Sequence, residues 1–322
     1  MRKLLLALAF ITLNSTVSTQ AETYPSRHIT LVAPVAAGGP LDVNARLIAT
    51  ALGDVLGQQV IVENRTGAGT AVGTASVARA APDGYTLLIA DMTFVAGPGL
   101  VANLSYDPQH DFVPVAFLSR SNMLLVVNPT FSAKTVSDIV AMAKQKPGEL
   151  QYAHAGLGTP PHLAALAFTR ATATTMSPIA YRGGAPAVVD IVAGRVPMMF
   201  LGLSISGPQV TSGKFRALAV TGTERVPTFP EVPTFTESGI DLGGISGGTW
   251  FGIVAPARTP ASVITTLNDA VNQTLKEPKT RAAFEATSHT VVGGTPQEFG
   301  ALFRSQQTYW STTLEAAGAR PN

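Results

Sequence analysis

Along most of the chain, short apolar runs rich in β-branched residues alternate with stretches whose apolar positions recur every three to four residues, the signatures of strand and amphipathic helix. "HITLVAP" (28–34) precedes a helical pattern from Asp42 to Leu56, "QVIVEN" (59–64) precedes one from Thr70 to Ala80, and "YTLLIAD" (85–91) leads into a loop. In the first helix Val43, Leu47, Ile48, Ala51 and Val55 share one broad face. Asp42 is its expected cap, with a side chain that accepts an amide the first turn leaves unpaired. Strand-then-helix alternation of this kind specifies βα units in a parallel sheet.

The alternation resumes after "FVPVAFLSRSNMLLVVNP" (112–129). Helices are predicted over 136–146, 161–170 and 185–193, and they are followed in turn by strands at "LQYAHAG", "SPIAYRG" and "VPMMFLG". The tail adds "TWFGIVAP" (249–256), a helix over 260–275, a short "HTVVGG" and a helix from Pro296 to about Leu314. It is too short for a third unit, so it is expected to return to the first. The fold class is therefore α/β with two domains, residues 22–121 plus 250–322 and residues 122–249. Two connections join them, near 119–125 and between 220 and 250. Open parallel sheets bind ligands beyond the carboxyl ends of their strands, so the cleft between two such sheets is the expected site.

Composition agrees with this division. A chain of 322 residues that is 46% hydrophobic and 13% charged can bury a large core, and chains of that length commonly split in two. At the start, Arg2 and Lys3 precede an apolar run from Leu4 to Leu13 and a small-residue exit at Ala21, the pattern of a secretory signal peptide cleaved near Ala21. Its apolar run of about ten residues falls short of the roughly 20 that span a bilayer, so the expected product is soluble and exported. There is no cysteine, which excludes disulfides, thiolate metal sites, a cysteine nucleophile and a lipid anchor on cysteine. Without Arg2 and Lys3 the basic and acidic residues balance, and no basic patch argues for nucleic acid.

Two glycine turns carry the candidate chemistry. In "VAAGGPLD" (35–42), Gly38 and Gly39 follow a strand and open a helix, so backbone amides and the positive end of the helix can meet an anion there. An ordinary capped βα turn is the alternative. In "AGLGTPPH" (155–162), Gly156 and Gly158 follow a strand, Thr159 offers a hydroxyl, and Pro160 and Pro161 donate nothing. Two anion-shaped turns would thus face each other across the cleft. His162, one turn into its helix, fits packing or capping better than catalysis. The five histidines, His28, His110, His154, His162 and His289, show no paired metal spacing, and no cofactor is implied. "GAGTAVG" (67–73) is one residue too long for a dinucleotide loop, and Gly69 and Gly73 are better explained by close helix packing. "GISGG" (244–248) satisfies G-x-S-x-G, and Asp269 and His289 follow Ser246 in the chain order of a hydrolase triad. This exported-esterase alternative lacks the strand before and the helix after the serine that a nucleophile elbow needs.

"YPSRHITLVAPVAAGGPLDVNARLIATALGDVLGQQVIVENRTGAG", "VARAAPDGYTLL", "GLGTPPHLA", "YRGGAPAVVDIVAGRV", "GKFRALAVTGTERVPTFPEVPTFTESG" and "WFGIVAPARTP" together resemble the periplasmic substrate-binding proteins of tripartite tricarboxylate transporters, the Bug family, over almost the whole mature chain. The resemblance implies a periplasmic Venus flytrap of the type II-like binding-protein fold that closes on a small organic carboxylate. Its partners would be membrane permease subunits or a sensor protein, and it would act as a monomer without enzymatic activity. It also implies ligand contacts from Val35, Ala36, Ala37, Gly38, Gly39, Leu41 and Asp42, and from Gly156, Leu157, Gly158 and Thr159 with the neighbouring His162. Asp91, Met92 and Thr93 would line the same cleft, as would Tyr181 of "AYRGG". Where the family carries acids near the second-domain face, this chain has Leu166, Pro197 and Leu201. Pro197 also suggests a strand that starts late or lies at an edge. Where the family has a small hydroxyl residue this chain has Asp91, which either caps the next segment or pairs with a cationic group on the ligand.

Overall fold

The computed structural model describes residues 24–101 and 103–318, and the leader expected over 1–21 lies outside them. In chain order the elements are β1 (Ile29–Ala33), α1 (Pro40–Leu56), β2 (Val60–Asn64), α2 (Ala71–Ala78), β3 (Thr86–Asp91), α3 (Met92–Ala96), β4 (Phe112–Ser121), β5 (Met123–Val127), α4 (Val136–Gln145), β6 (Gln151–His154) and α5 (Pro160–Thr172). They continue as β7 (Ser177–Ala180), α6 (Gly184–Val192), β8 (Met198–Gly202), α7 (Leu203–Thr211), β9 (Arg216–Val220), β10 (Thr249–Pro256), α8 (Ala261–Lys276), α9 (Pro278–Ala286), β11 (His289–Val291) and α10 (Pro296–Ala316).

The strands form two sheets, ordered β11-β4-β10-β3-β1-β2 and β7-β6-β8-β5-β9. The chain passes from the first sheet to the second through Asn122, between β4 and β5, and returns through the long segment between β9 and β10. Neither sheet is wholly parallel, contrary to the expectation. β10 lies antiparallel to β3 and β4, and β5 antiparallel to β8 and β9. The cause is topological. β4 and β9 end at the edge facing the other lobe, so the strand that follows each crossing must begin at that edge and run away from it. All the βα turns consequently gather at one edge of each sheet, together with the starts of β5 and β10.

Three helices were not anticipated. α3 occupies the loop expected after "YTLLIAD", while α7 and α9 fall in stretches with too few regular apolar positions to register. Pro197 immediately precedes β8, which therefore starts late, but β8 lies between β6 and β5 rather than at an edge. Among the described residues one large apolar cluster spans both lobes on the side of α5 and α10, with Trp250, Trp310, Phe168, Phe200 and Phe299 fully buried. Burying side chains of this size contributes roughly 1.5–3 kcal/mol each, which fixes the base on which the two edges face one another.

Candidate ligand-binding cleft

The two sheet edges enclose a cleft of about 420 Å³. It continues outward into a region of about 650 Å³, and Val35, Ala36, Thr70, Thr93, Ala155 and Thr159 line both. The first lobe contributes the turn before α1, the ends of β3 and β4 and the start of β10. The second contributes the turn before α5, Gly183 and Gly184, the end of β8 and the start of α7. None of the described lining residues of the inner cleft is Lys, Arg or His, and its one charged side chain is Asp91. Polarity comes instead from helix starts. α1, α5, α6 and α7 all begin at the cleft, and first-turn amides have no partner inside their own helix. The aligned peptide dipoles put partial positive charge at the same points.

The first turn differs from expectation in who caps what. α1 starts at Pro40, with Gly39 at its cap position, and Asp42 lies inside the helix. The Asp42 carboxylate reaches back to accept from the Gly38 amide at 2.9 Å, and it also accepts from Arg46 at 2.9 Å and Asn64 at 2.7 Å. Burial pushes its carboxyl up, but those three bonds outweigh burial and hold it below the usual range. Asp42 therefore braces the turn from behind and does not face the cleft. Gly38 has a φ of 89°, whereas Gly39 has an ordinary φ of −79°. Of this group Val35, Ala36, Gly39 and Leu41 line the cleft, whereas Ala37 and Gly38 are exposed on the outer side of the turn. The buried face of α1 is Leu41, Asp42, Asn44, Ala45, Ile48, Ala49 and Leu52, rotated from the expected stripe because the sheet and α8 together cover a different side.

The second turn keeps most of its donors for itself. The Gly156 amide donates to His154 Nδ1 and the Gly158 amide to His162 Nδ1, both at 3.2 Å. The Thr159 amide and hydroxyl both donate to Gly156 O, at 3.3 and 2.7 Å. The two imidazole rings lie 4.5 Å apart, and burial pushes the His162 ring down to about 4, with His154 adding to the effect. His162 is thus a buried acceptor that shapes the turn. It lines the groove between α5 and the end of α10, and Leu157 stands 56% exposed at the outer mouth. The expected symmetry of two amide-rich turns is replaced by a braced α5 turn flanked by the starts of α6 and α7. Gly183, Gly184, Ser204 and Ile205 were not singled out from sequence, although "YRGG" carried the signal for the glycines.

Asp91 ends β3 and caps α3, and its Oδ1 accepts from both the Thr93 amide, at 2.8 Å, and the Thr93 hydroxyl. Burial pushes its carboxyl above the usual range, against the pull of those bonds. Met92 is fully buried beneath the cleft and does not line it. The Tyr181 hydroxyl donates to Asp190 Oδ2 at 2.8 Å, which holds it off the lining. Of the three replaced acids only Leu201 lines the cleft. Leu166 faces the α5 and α10 groove, and Pro197 lies at the far end of β8. Gly73 explains part of "GAGTAVG", since a Cβ there would sit 2.4 Å from Arg65 O, whereas Gly69 has open space and a φ of 61°.

The sequence profile of the TctC family, described as the tripartite tricarboxylate transporter family receptor, matches residues 44–318. The chain belongs to this receptor family. Protein BugT of Bordetella pertussis is 34% identical over 93% of this receptor and 92% of BugT. R. palustris Rpa4515, solved with adipate, is 32% identical with a TM-score of 0.80, covering 93% of this chain and all of that one. MatC from Rhodopseudomonas palustris, solved with bound malate, is 32% identical with a TM-score of 0.78, covering 90% of the receptor and all of MatC. These likenesses and the two-sheet architecture agree with the Bug-family resemblance and the binding-protein fold read from the sequence.

The esterase alternative gains no support. In the receptor Ser246 follows a single helical turn and is succeeded by β10, and its hydroxyl donates to Asp241 at 2.6 Å. His289 lies on β11 with its Nδ1 at 2.9 Å from the Thr287 hydroxyl, and Asp269 lies in α8, so the three do not form a relay. Among the described residues no group of three or more potential metal ligands occurs, and no helix is long and apolar enough to cross a membrane.

Proposed function

We propose that this receptor captures a small organic carboxylate between its lobes, in the periplasm, as a monomer and without chemistry of its own. It then presents the ligand to the membrane subunits of a tripartite transporter. One observation carries the reading: helix starts from both lobes converge on a cleft with no basic side chain among its described lining residues. An anion there is held by amides and helix dipoles, as at other helix amino termini. The bound adipate and malate of its relatives support the ligand class. The lobes, residues 22–121 with 250–322 and residues 122–249, act as two bodies that close about the paired crossings. A ligand touching both favours the closed form by its differential affinity.

Calorimetry of the mature protein against mono-, di- and tricarboxylates, followed by small-angle scattering of the saturated protein, tests this proposal. Binding of at least one carboxylate with a smaller radius of gyration is expected. Silence across the panel would overturn the ligand class, and binding without compaction would overturn closure. Hydrolysis of a chromogenic ester that is lost in Ser246→Ala would overturn the absence of chemistry.

A further inference from the structure

Asp91 is misplaced for a site that holds only anionic groups. It is 6% exposed, it lines the inner cleft, and no cation among the described lining residues offsets it. A second carboxylate brought beside it in so apolar a space would meet repulsion that water can no longer screen. Capping accounts for only part of the side chain, because both bonds from Thr93 fall on Oδ1. The sheet register adds a neighbouring polar group. Phe251 pairs with Asp91, and Thr249, two residues earlier on β10, pairs with Ser121, so these side chains share one face at the cleft edge. The Thr249 hydroxyl is buried and has no hydrogen-bond partner among the described residues, although a buried hydroxyl ordinarily finds one. Apart from these groups and the hydroxyl residues Thr70, Thr159 and Ser204, the wall is mostly apolar, with Leu41, Met123, Leu201, Ile205 and Phe251 its large side chains.

We infer that the ligand is an amino-bearing monocarboxylate with an apolar body. Its carboxylate lies at the helix starts, and its ammonium donates to Asp91 with the Thr249 hydroxyl beside it. The inference rests on the carboxylate-binding reading of the cleft and narrows it. Each polar group of such a ligand meets a complementary one: the ammonium supplies the cation that the wall lacks, and the apolar body covers Leu201 and Ile205 without stranding a charge.

Matched ligand pairs test it by calorimetry at neutral pH on the mature wild-type protein: leucine against 4-methylpentanoate, and phenylalanine against 3-phenylpropanoate, with malate and adipate alongside. At least one amino member is expected to bind roughly tenfold or more tightly than its des-amino partner and than either dicarboxylate. Asp91→Asn, which keeps the geometry of the cap, is expected to abolish that preference while retaining the des-amino ligand. Thr249→Val is expected to reduce the preference without removing it. If the des-amino acids or dicarboxylates bind as tightly as the amino ligands, or the preference survives Asp91→Asn, the inference fails while the carboxylate cleft stands. If no carboxylate of either class binds, the cleft reading fails and the inference with it. The wild-type comparison decides even if a variant does not fold.

Discussion

At the scale of single residues, two adjacent glycines that look equivalent in sequence do different work. Gly38 sits at a φ of 89°, where a β-branched side chain is strained by about 1–2 kcal/mol. Gly39 is extended, and a Cβ there would come no nearer than 3.9 Å to Ala36 O, yet the residue lines the cleft. Gly38→Val should therefore lower the thermal midpoint. Gly39→Val should leave it nearly unchanged and weaken carboxylate binding by roughly tenfold or more, as read by calorimetry. Equal loss of stability in both variants would contradict this division. His162 supplies a pH signature. Its folded pKa of about 4 lies below the ordinary 6.5, so between those values the unfolded chain binds the extra proton. Its contribution, on the order of 3 kcal/mol, is present above about pH 6.5 and is lost as pH falls toward 4. A wild-type midpoint that drops over that window, and a shallower drop in His162→Gln, are the expected outcomes in thermal scans. The sequence displayed the glycines and both histidines, but not that the imidazoles consume the amides of the second turn. That depends on His154 and His162 meeting across a strand and a helix.

At the scale of elements, the proposed function assigns ligand capture to the helix starts. Placing an acid in the first turn of α1 separates helix stability from anion binding. Pro40→Glu should keep or raise stability by about 0.3–1 kcal/mol through the helix dipole, because Pro40 is exposed and at the first helical position. The same charge competes with the ligand at the cleft, so carboxylate affinity should fall by roughly tenfold or more. Unchanged affinity would remove the α1 start from the site. Strands and long helices were legible because their apolar periods are regular, and most bounds agree to within two residues or so. α7 was not, since "LSISGPQVT" is mostly small or polar and buries only Leu203, Ser206 and Gly207. Its start nonetheless forms part of the cleft. The reversed strands β5 and β10 were equally hidden, because strand direction depends on the lobe from which the chain arrives, and nothing within an apolar run encodes that.

At the scale of the whole molecule, the two crossings lie side by side. The Leu203 amide donates to Asn122 O at 2.9 Å and the Gly222 amide to Ser246 O at 2.6 Å, and both Gly222 and Gly248 press against the Asn122 side chain. A Cβ at Gly248 would stand 2.7 Å from Ser121 O, and its φ of 82° already disfavours a side chain. Gly248→Ala is thus expected to cost about 2 kcal/mol and to impair ligand-induced compaction together, as measured by thermal scans and scattering. A neutral effect on both would show that the crossings are not tightly packed. The two-lobe plan and the location of the cleft followed from the order of strands and helices. The glycine turn before α1 was legible as a set of amide donors, whereas the starts of α6 and α7 were not, because backbone amides carry no sequence label of their own. The most direct test of the central claim is therefore a crystal structure of the mature protein with a carboxylate whose binding calorimetry has established. The account predicts its carboxylate oxygens within about 3 Å of first-turn amides at the α1 start and at the start of α6 or α7, with no Lys or Arg contact. A carboxylate held by a basic side chain, or a ligand seated outside the cleft, would contradict it.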